Sequence, residues 1–173
     1  MGIKQRIGLY YYKAEVKKKK HRDRKFTPLE TAKLIGVVFD ADNEVEKKTA
    51  LQLAEILRGQ KKEVLLMGYF NAKKFPPNLH IAYGNEYFNR THLNWAGLPV
   101  HINLKSYLNT TFDYLINIST NNSVIFPYLM VKSSAKCTVG RYSQTFADAY
   151  DLMLETKEND FIAQLLHYLQ KIG

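Results

Sequence analysis

Lysine and arginine are the side chains of this sequence whose placement could do chemistry, and that chemistry is neutralisation of phosphate. Of the 25 in the chain, ten fall within Met1–Phe26: Lys4, Arg6, Lys13, Lys17, Lys18, Lys19, Lys20, Arg22, Arg24 and Lys25. Only Glu15 and Asp23 oppose them there, so the stretch carries +8. Residues 27–173 hold 15 basic and 14 acidic side chains, net +1. The +9 of the whole chain is therefore concentrated at one end. Such asymmetry points to a polyanionic partner. Clustered cations release condensed counterions when they meet closely spaced phosphates. Tyr10, Tyr11 and Tyr12 add rings that stack on bases and hydroxyls that reach phosphates. RNA contact through these thirteen residues is the leading expectation.

The element that must carry them is a helix. Ile3, Ile7, Tyr10, Tyr11 and Ala14 recur at helical spacing without an intervening proline, which predicts one apolar stripe. Lys4, Arg6, Lys13 and Lys17 fall mostly on other faces. From Lys17 to Lys25 the charges surround the axis, and free in water such a run repels itself. Residues 1–26 are thus expected to form a basic N-terminal helical arm ahead of a nearly neutral body, residues 27–173. Two other uses of the arm compete with RNA. Its stripe fits docking on its own body, and a basic amphipathic helix also suits an anionic membrane surface.

Other chemistry has weaker footing. The first strand end reads Asp40-Ala41-Asp42-Asn43-Glu44. It lacks the glycine-rich phosphate loops, and a row of acids repels phosphate. Asp40 and Asp42 would hold Mg²⁺ only if a third oxygen ligand joined them. The simpler reading sets these acids against a helix N-terminus, where they complement its dipole. The five histidines, His21, His80, His92, His101 and His167, show no metal-ligand spacing, and a single cysteine, Cys137, cannot build a zinc cluster. Cys137 falls in an expected buried strand, where a thiol is inert. No serine has the context of a nucleophile elbow. The expectation is a protein that is not an enzyme, with no cofactor and no metal. A small-ligand or metal-dependent enzyme working at Asp40 and Asp42 is the alternative.

The lone cysteine excludes a disulfide within the chain and fits a reducing cytoplasm. No run of 18 apolar residues is present to span a membrane. Gly8–Tyr12 is too short an apolar piece for a secretory signal, and Arg6 breaks the myristoylation pattern that Gly2 begins.

The body reads as alternating strands and helices. Thr27 and Pro28 suggest a helix start. Leu34–Asp40 is a near-continuous apolar run, the mark of a strand covered on both faces. Asn43 and Glu46 form a capping box for a helix to about Arg58, ended by Gly59, and Glu63–Phe70 is the next strand. Residues 79–83 are expected as a short third strand. Gly84–Pro99 is irregular, and its Trp95 is expected either to seal the core, the favoured reading, or to anchor an interface. A short strand and helical turn follow over 100–109. A second unit runs through a strand at 114–119, a helix capped by Asn121-Asn122-Ser123 and reaching about Ala135, and a strand at 136–142. An edge strand over 150–155 and a last helix capped by Asn159 complete the chain. This predicts one α/β, Rossmann-like domain with a mostly parallel sheet and helices on both faces.

Two resemblances accompany this reading. Phe112–Ile118, a helix, and Ala135–Tyr142 resemble part of the N-terminal half of heptosyltransferase-type glycosyltransferases, which implies a half-Rossmann topology and carries over no active-site residue. More widely, Phe39-Asp40, Met67-Gly68-Tyr69, Leu93-Asn94-Trp95 with Gly97, Phe112-Asp113, Val139-Gly140-Arg141-Tyr142 and His167-Tyr168-Leu169 together resemble a small uncharacterised family of Bacteroidota that includes a lineage-specific extra protein of the large ribosomal subunit. That resemblance implies a structural role on ribosomal RNA, beside neighbouring ribosomal proteins and without DNA specificity.

Overall fold

The computed structural model describes residues 3–18, 25–156 and 160–172. Helix α1 spans Ile3–Lys18. After it come β1 (Leu34–Asp40), α2 (Glu44–Gly59), β2 (Glu63–Phe70) and β3 (Asn85–Asn89). Then follow α3 (Ile102–Asn109), β4 (Tyr114–Asn117), α4 (Ile125–Lys132), β5 (Cys137–Arg141), β6 (Leu152–Leu154) and α5 (Phe161–Lys171). The strands form one sheet in the order β3-β2-β1-β4-β5-β6, and every pairing is parallel. This is the doubly wound strand order, in keeping with the Rossmann-like, mostly parallel sheet that the sequence predicts.

Strand β1 lies at the centre because its run of apolar side chains needs cover on both faces. It pairs β2 from Leu34↔Glu63 to Asp40↔Tyr69, and β4 from Ile35↔Tyr114 to Val38↔Asn117. Period-2 alternation then splits the core. Ile35, Val37 and Phe39 face α2 and α5, while Val38 faces the layer of α3, α4 and α1. Helices therefore cover both faces, as the pattern predicts.

Several local expectations need correction. Residues 79–83 are not a strand. The third strand is Asn85–Asn89, while Ile81 and Tyr83 are exposed. No strand forms at 100–109, where α3 starts directly. The Thr27-Pro28 signal yields a single turn, in which Thr31 and Ala32 donate to the Pro28 carbonyl at 3.0 and 2.9 Å. Pro127 sits in the first turn of α4, where its missing N–H costs nothing. The Asn159 cap lies outside the described residues. No described helix is long and apolar enough to cross a membrane.

Candidate nucleic-acid interface

Helix α1 is docked on the body, and its inner face is not the apolar stripe that the spacing predicts. Ile3 and Tyr10 point outward and Tyr11 is half-exposed. The buried contacts come from Gly8 and Tyr12, with Ile7, Leu9 and Val16 packed beside them. Glycine at position 8 permits close approach: a Cβ there would lie 3.0 Å from the Ala96 carbonyl oxygen. One turn on, Tyr12 is only 2 % exposed and packs edge-on against Phe146, with ring centroids 5.3 Å apart. Glu15 completes the dock by accepting from Lys132 of α4 at 3.0 Å and from Lys18 at 2.9 Å. Partial burial pushes the Glu15 carboxyl up, but these two ammonium donors outweigh it and hold the pKa below the ordinary value.

Docking fixes what the outer face presents. Arg6, Tyr10, Lys13 and Lys17 follow one another at steps of four, three and four residues, so they share a single stripe. All four are exposed. Arg6, Lys13 and Lys17 pair with no carboxylate among the described residues. Lys17 and Lys18 also stand in the last turn, where positive charge complements the helix dipole.

Beside this stripe stands Trp95, for which the sequence favours the core over an interface and which the structure places on the surface, 66 % exposed. The cause is the turn that carries it. The Asn94 side-chain oxygen accepts from the amides of Ala96 and Leu98, both at 3.0 Å. The Gly97 amide donates to the Asn94 carbonyl at 2.9 Å. Gly97 holds φ +77°, a left-handed conformation that glycine adopts without strain. Ala96 and Leu98 turn inward and are buried, which leaves Trp95 at the tip. Its ring meets Tyr11 edge-on at 6.1 Å, and Tyr11 meets Tyr10 in the same manner at 5.8 Å.

The acidic strand end is the other candidate, and its carboxylates are engaged within the fold. Asp40 accepts from the Asp42 amide at 3.1 Å and from Asn121 Nδ2 at 2.9 Å. Asp42 accepts from the Asn71 amide at 2.6 Å. Glu46 is buried and binds more widely. Its Oε2 accepts from the Asp40 amide at 3.0 Å, and its Oε1 accepts from the Thr120 amide at 2.7 Å and hydroxyl at 2.8 Å. Only half of the expected capping box forms: Asn43 Oδ1 accepts from the amides of Val45 and Glu46, while the Asn43 amide donates to the Asp40 carbonyl at 3.3 Å and not to Glu46. These groups tie the ends of β1, β2 and β4 together. Among the described residues no group of three His, Cys, Asp or Glu side chains is placed to hold a metal ion. A cavity of about 330 Å³ opens beyond β4, β5 and β6. Arg141 lines it, but its guanidinium donates to the Ile118 carbonyl at 3.2 Å and to Thr156 Oγ1 at 3.4 Å, and lies 4.3 Å from the Phe161 ring centroid.

A family of unknown function, DUF6913, matches residues 4–172. The chain belongs to the DUF6913 family. The match runs through α1 and the sheet together, from the docked helix to the last one. Among curated proteins none matches the chain.

Of the thirteen residues that the sequence of this DUF6913 member singles out for RNA, the structure brings Arg6, Tyr10, Lys13 and Lys17 onto one exposed stripe, with Tyr11 beside it. Lys18 is exposed but paired with Glu15, and Lys25 is exposed beyond the helix. Tyr12 is the correction: its ring is enclosed in the core and is not available to stack on a base. The side chain of Lys4, and Lys19, Lys20, Arg22 and Arg24, lie outside the described residues. Cys137 is buried in β5, as its strand setting predicts. Sequence reasoning favours the core for Trp95 over an interface, and the exposed ring corrects that choice. The signal was the Asn94-to-Gly97 turn, whose chemistry outweighs the tendency of a large ring to be buried.

Proposed function

We propose that this protein is a structural, non-catalytic RNA-binding protein of the cytoplasm that grips phosphates with the outer face of α1. Ribosomal RNA of the large subunit is the first RNA to test, because the sequence resembles a lineage-specific protein of that subunit. Neighbouring ribosomal proteins are the expected protein contacts. The observation that carries the reading is the stripe of Arg6, Lys13 and Lys17, exposed on a helix whose opposite face is anchored by Tyr12 and Glu15. An anchored helix presents its cations in fixed register, so little ordering entropy is lost when they meet phosphates. Phosphate contacts position a protein without reading sequence, which suits a structural role. The test is sedimentation of the full chain with ribosomal subunits. Co-migration with the large subunit, lost on combined Arg6→Gln, Lys13→Gln and Lys17→Gln, is the expected result. Absence from the ribosomal fractions, together with capture by anionic vesicles, would replace this reading with a membrane-surface one.

A further inference from the structure

We infer that Tyr10, Tyr11 and Trp95 form a stacking platform for unpaired bases, so that the RNA this protein takes is single-stranded, a loop or bulge and not a continuous duplex. The inference rests on the RNA-binding reading and narrows it to a ligand class. Three rings stand in sequence on the surface, with centroid spacings of 5.8 and 6.1 Å. Those at the two ends, Tyr10 and Trp95, are 71 % and 66 % exposed. Two separate elements supply them, a docked helix and a turn braced by hydrogen bonds. Asn94 spends its side-chain oxygen on two amides of the turn, and Ala96 and Leu98 anchor it from within. Trp95 thus stands at the tip of the turn with most of its ring exposed, while its smaller apolar neighbours are buried.

The surrounding charge selects the partner. Tyr10 lies four residues after Arg6 and three before Lys13, so a cation stands one turn away on either side. Lysine is depleted in protein–protein interfaces, whereas interleaved cations and rings are how proteins hold single-stranded nucleic acid. In an A-form duplex the faces of the bases are stacked on one another, and what is displayed is phosphates, 2′-hydroxyls and base edges. A duplex would use the cations and leave the rings idle. Unpaired bases use both.

Trp95 is the only tryptophan of the chain, so its emission reports on the platform directly. The experiment titrates the full chain at low salt with a short single-stranded RNA, and separately with a blunt duplex of the same sequence. Binding is followed by anisotropy of labelled RNA and by Trp95 emission. The single strand is expected to quench Trp95 and to bind roughly tenfold or more tightly than the duplex, the scale of stacking one base. Tyr10→Ala, at an exposed position, is expected to remove most of that preference while salt-sensitive binding persists. Equal affinity for both RNAs with Trp95 unquenched would overturn the platform and leave RNA binding standing. A single-strand preference that Tyr10→Ala does not reduce would also overturn it. Absence of binding to either RNA would overturn the RNA reading itself, and the platform with it.

Discussion

Replacing Tyr12 with phenylalanine removes one oxygen from the seam between α1 and the body. That oxygen is buried and has no hydrogen-bond partner. Burial first, then the nearby Asp148 carboxylate, pushes the phenol well above its ordinary pKa, so the group is neutral but desolvated. A buried polar atom without a partner costs about 1–3 kcal/mol. The ring itself, 2 % exposed and packed on Phe146, supplies the burial that holds the helix. Tyr12→Phe keeps the ring and sheds the desolvated hydroxyl. We expect it to stabilise the protein by about 1 kcal/mol, which for a chain of this size raises the melting temperature by roughly 2–4 °C. Tyr12→Ala removes ring and hydroxyl together and should cost about 3–5 kcal/mol. Urea unfolding followed by circular dichroism reads both. A destabilised Tyr12→Phe would mean that the hydroxyl is bonded. An unchanged midpoint for Tyr12→Ala would mean that α1 is a detachable arm, and the fixed register of its outer stripe would be refuted.

Three further outcomes follow from the geometry. Glu46→Gln weakens a buried carboxylate that accepts from Asp40, Asn43 and Thr120, and should cost about 1–3 kcal/mol in the same unfolding assay without changing RNA affinity. Asp113 is partly buried, which raises its pKa, but Lys136 Nζ at 2.6 Å and the amides of Lys33 and Leu34 outweigh burial and lower it. The unfolded chain therefore takes up this proton first as pH falls, and stability should be lost below about pH 4, with Glu15 contributing in the same direction. Asp113→Asn should flatten that acid limb of the stability profile, and an unchanged limb would show that Asp113 is not its source. Trp95→Leu should leave stability within about 0.5 kcal/mol, the range for an exposed site, whereas a loss of several kcal/mol would return Trp95 to the core.

The central strands were legible because their burial leaves a direct mark. Leu34–Asp40, Glu63–Phe70 and Tyr114–Asn117 are apolar runs, and runs of that kind mean cover on two faces. The Asn43–Glu46 cap was legible as well, though not the second task of Glu46, which reaches across to Thr120, because a tie between loops far apart in sequence leaves no local spacing. Strand β3 escaped detection for a physical reason. It is an edge strand with one neighbour, and its sequence, NEYFN, is mostly polar and buries two asparagines. The three-residue β6 likewise says little about the second half of the sheet.

The candidate interface was half legible. Charge identified the segment, since +8 over 26 residues needs no structure to be seen. Which face of the helix is outermost was not legible. An apolar stripe suggests a docking face, but a glycine that admits a carbonyl oxygen and a tyrosine that fills a slot made the actual seam. Close approach of backbones leaves no hydrophobic signal. Once Gly8 and Tyr12 are inward, Tyr10 must be outward, and the stripe of Arg6, Lys13 and Lys17 follows from helical geometry alone.

The most direct test of the RNA-binding reading is the salt dependence of affinity for ribosomal RNA, for the intact chain and for the variant carrying Arg6→Gln, Lys13→Gln and Lys17→Gln. Each phosphate contact contributes about −0.7 to −0.9 to the slope of log affinity against log salt. Loss of three contacts should make the slope shallower by about 2–3 units, equally for RNAs of different sequence. Identical slopes for the two proteins would contradict the account, because they would place the phosphate-binding face elsewhere on the chain.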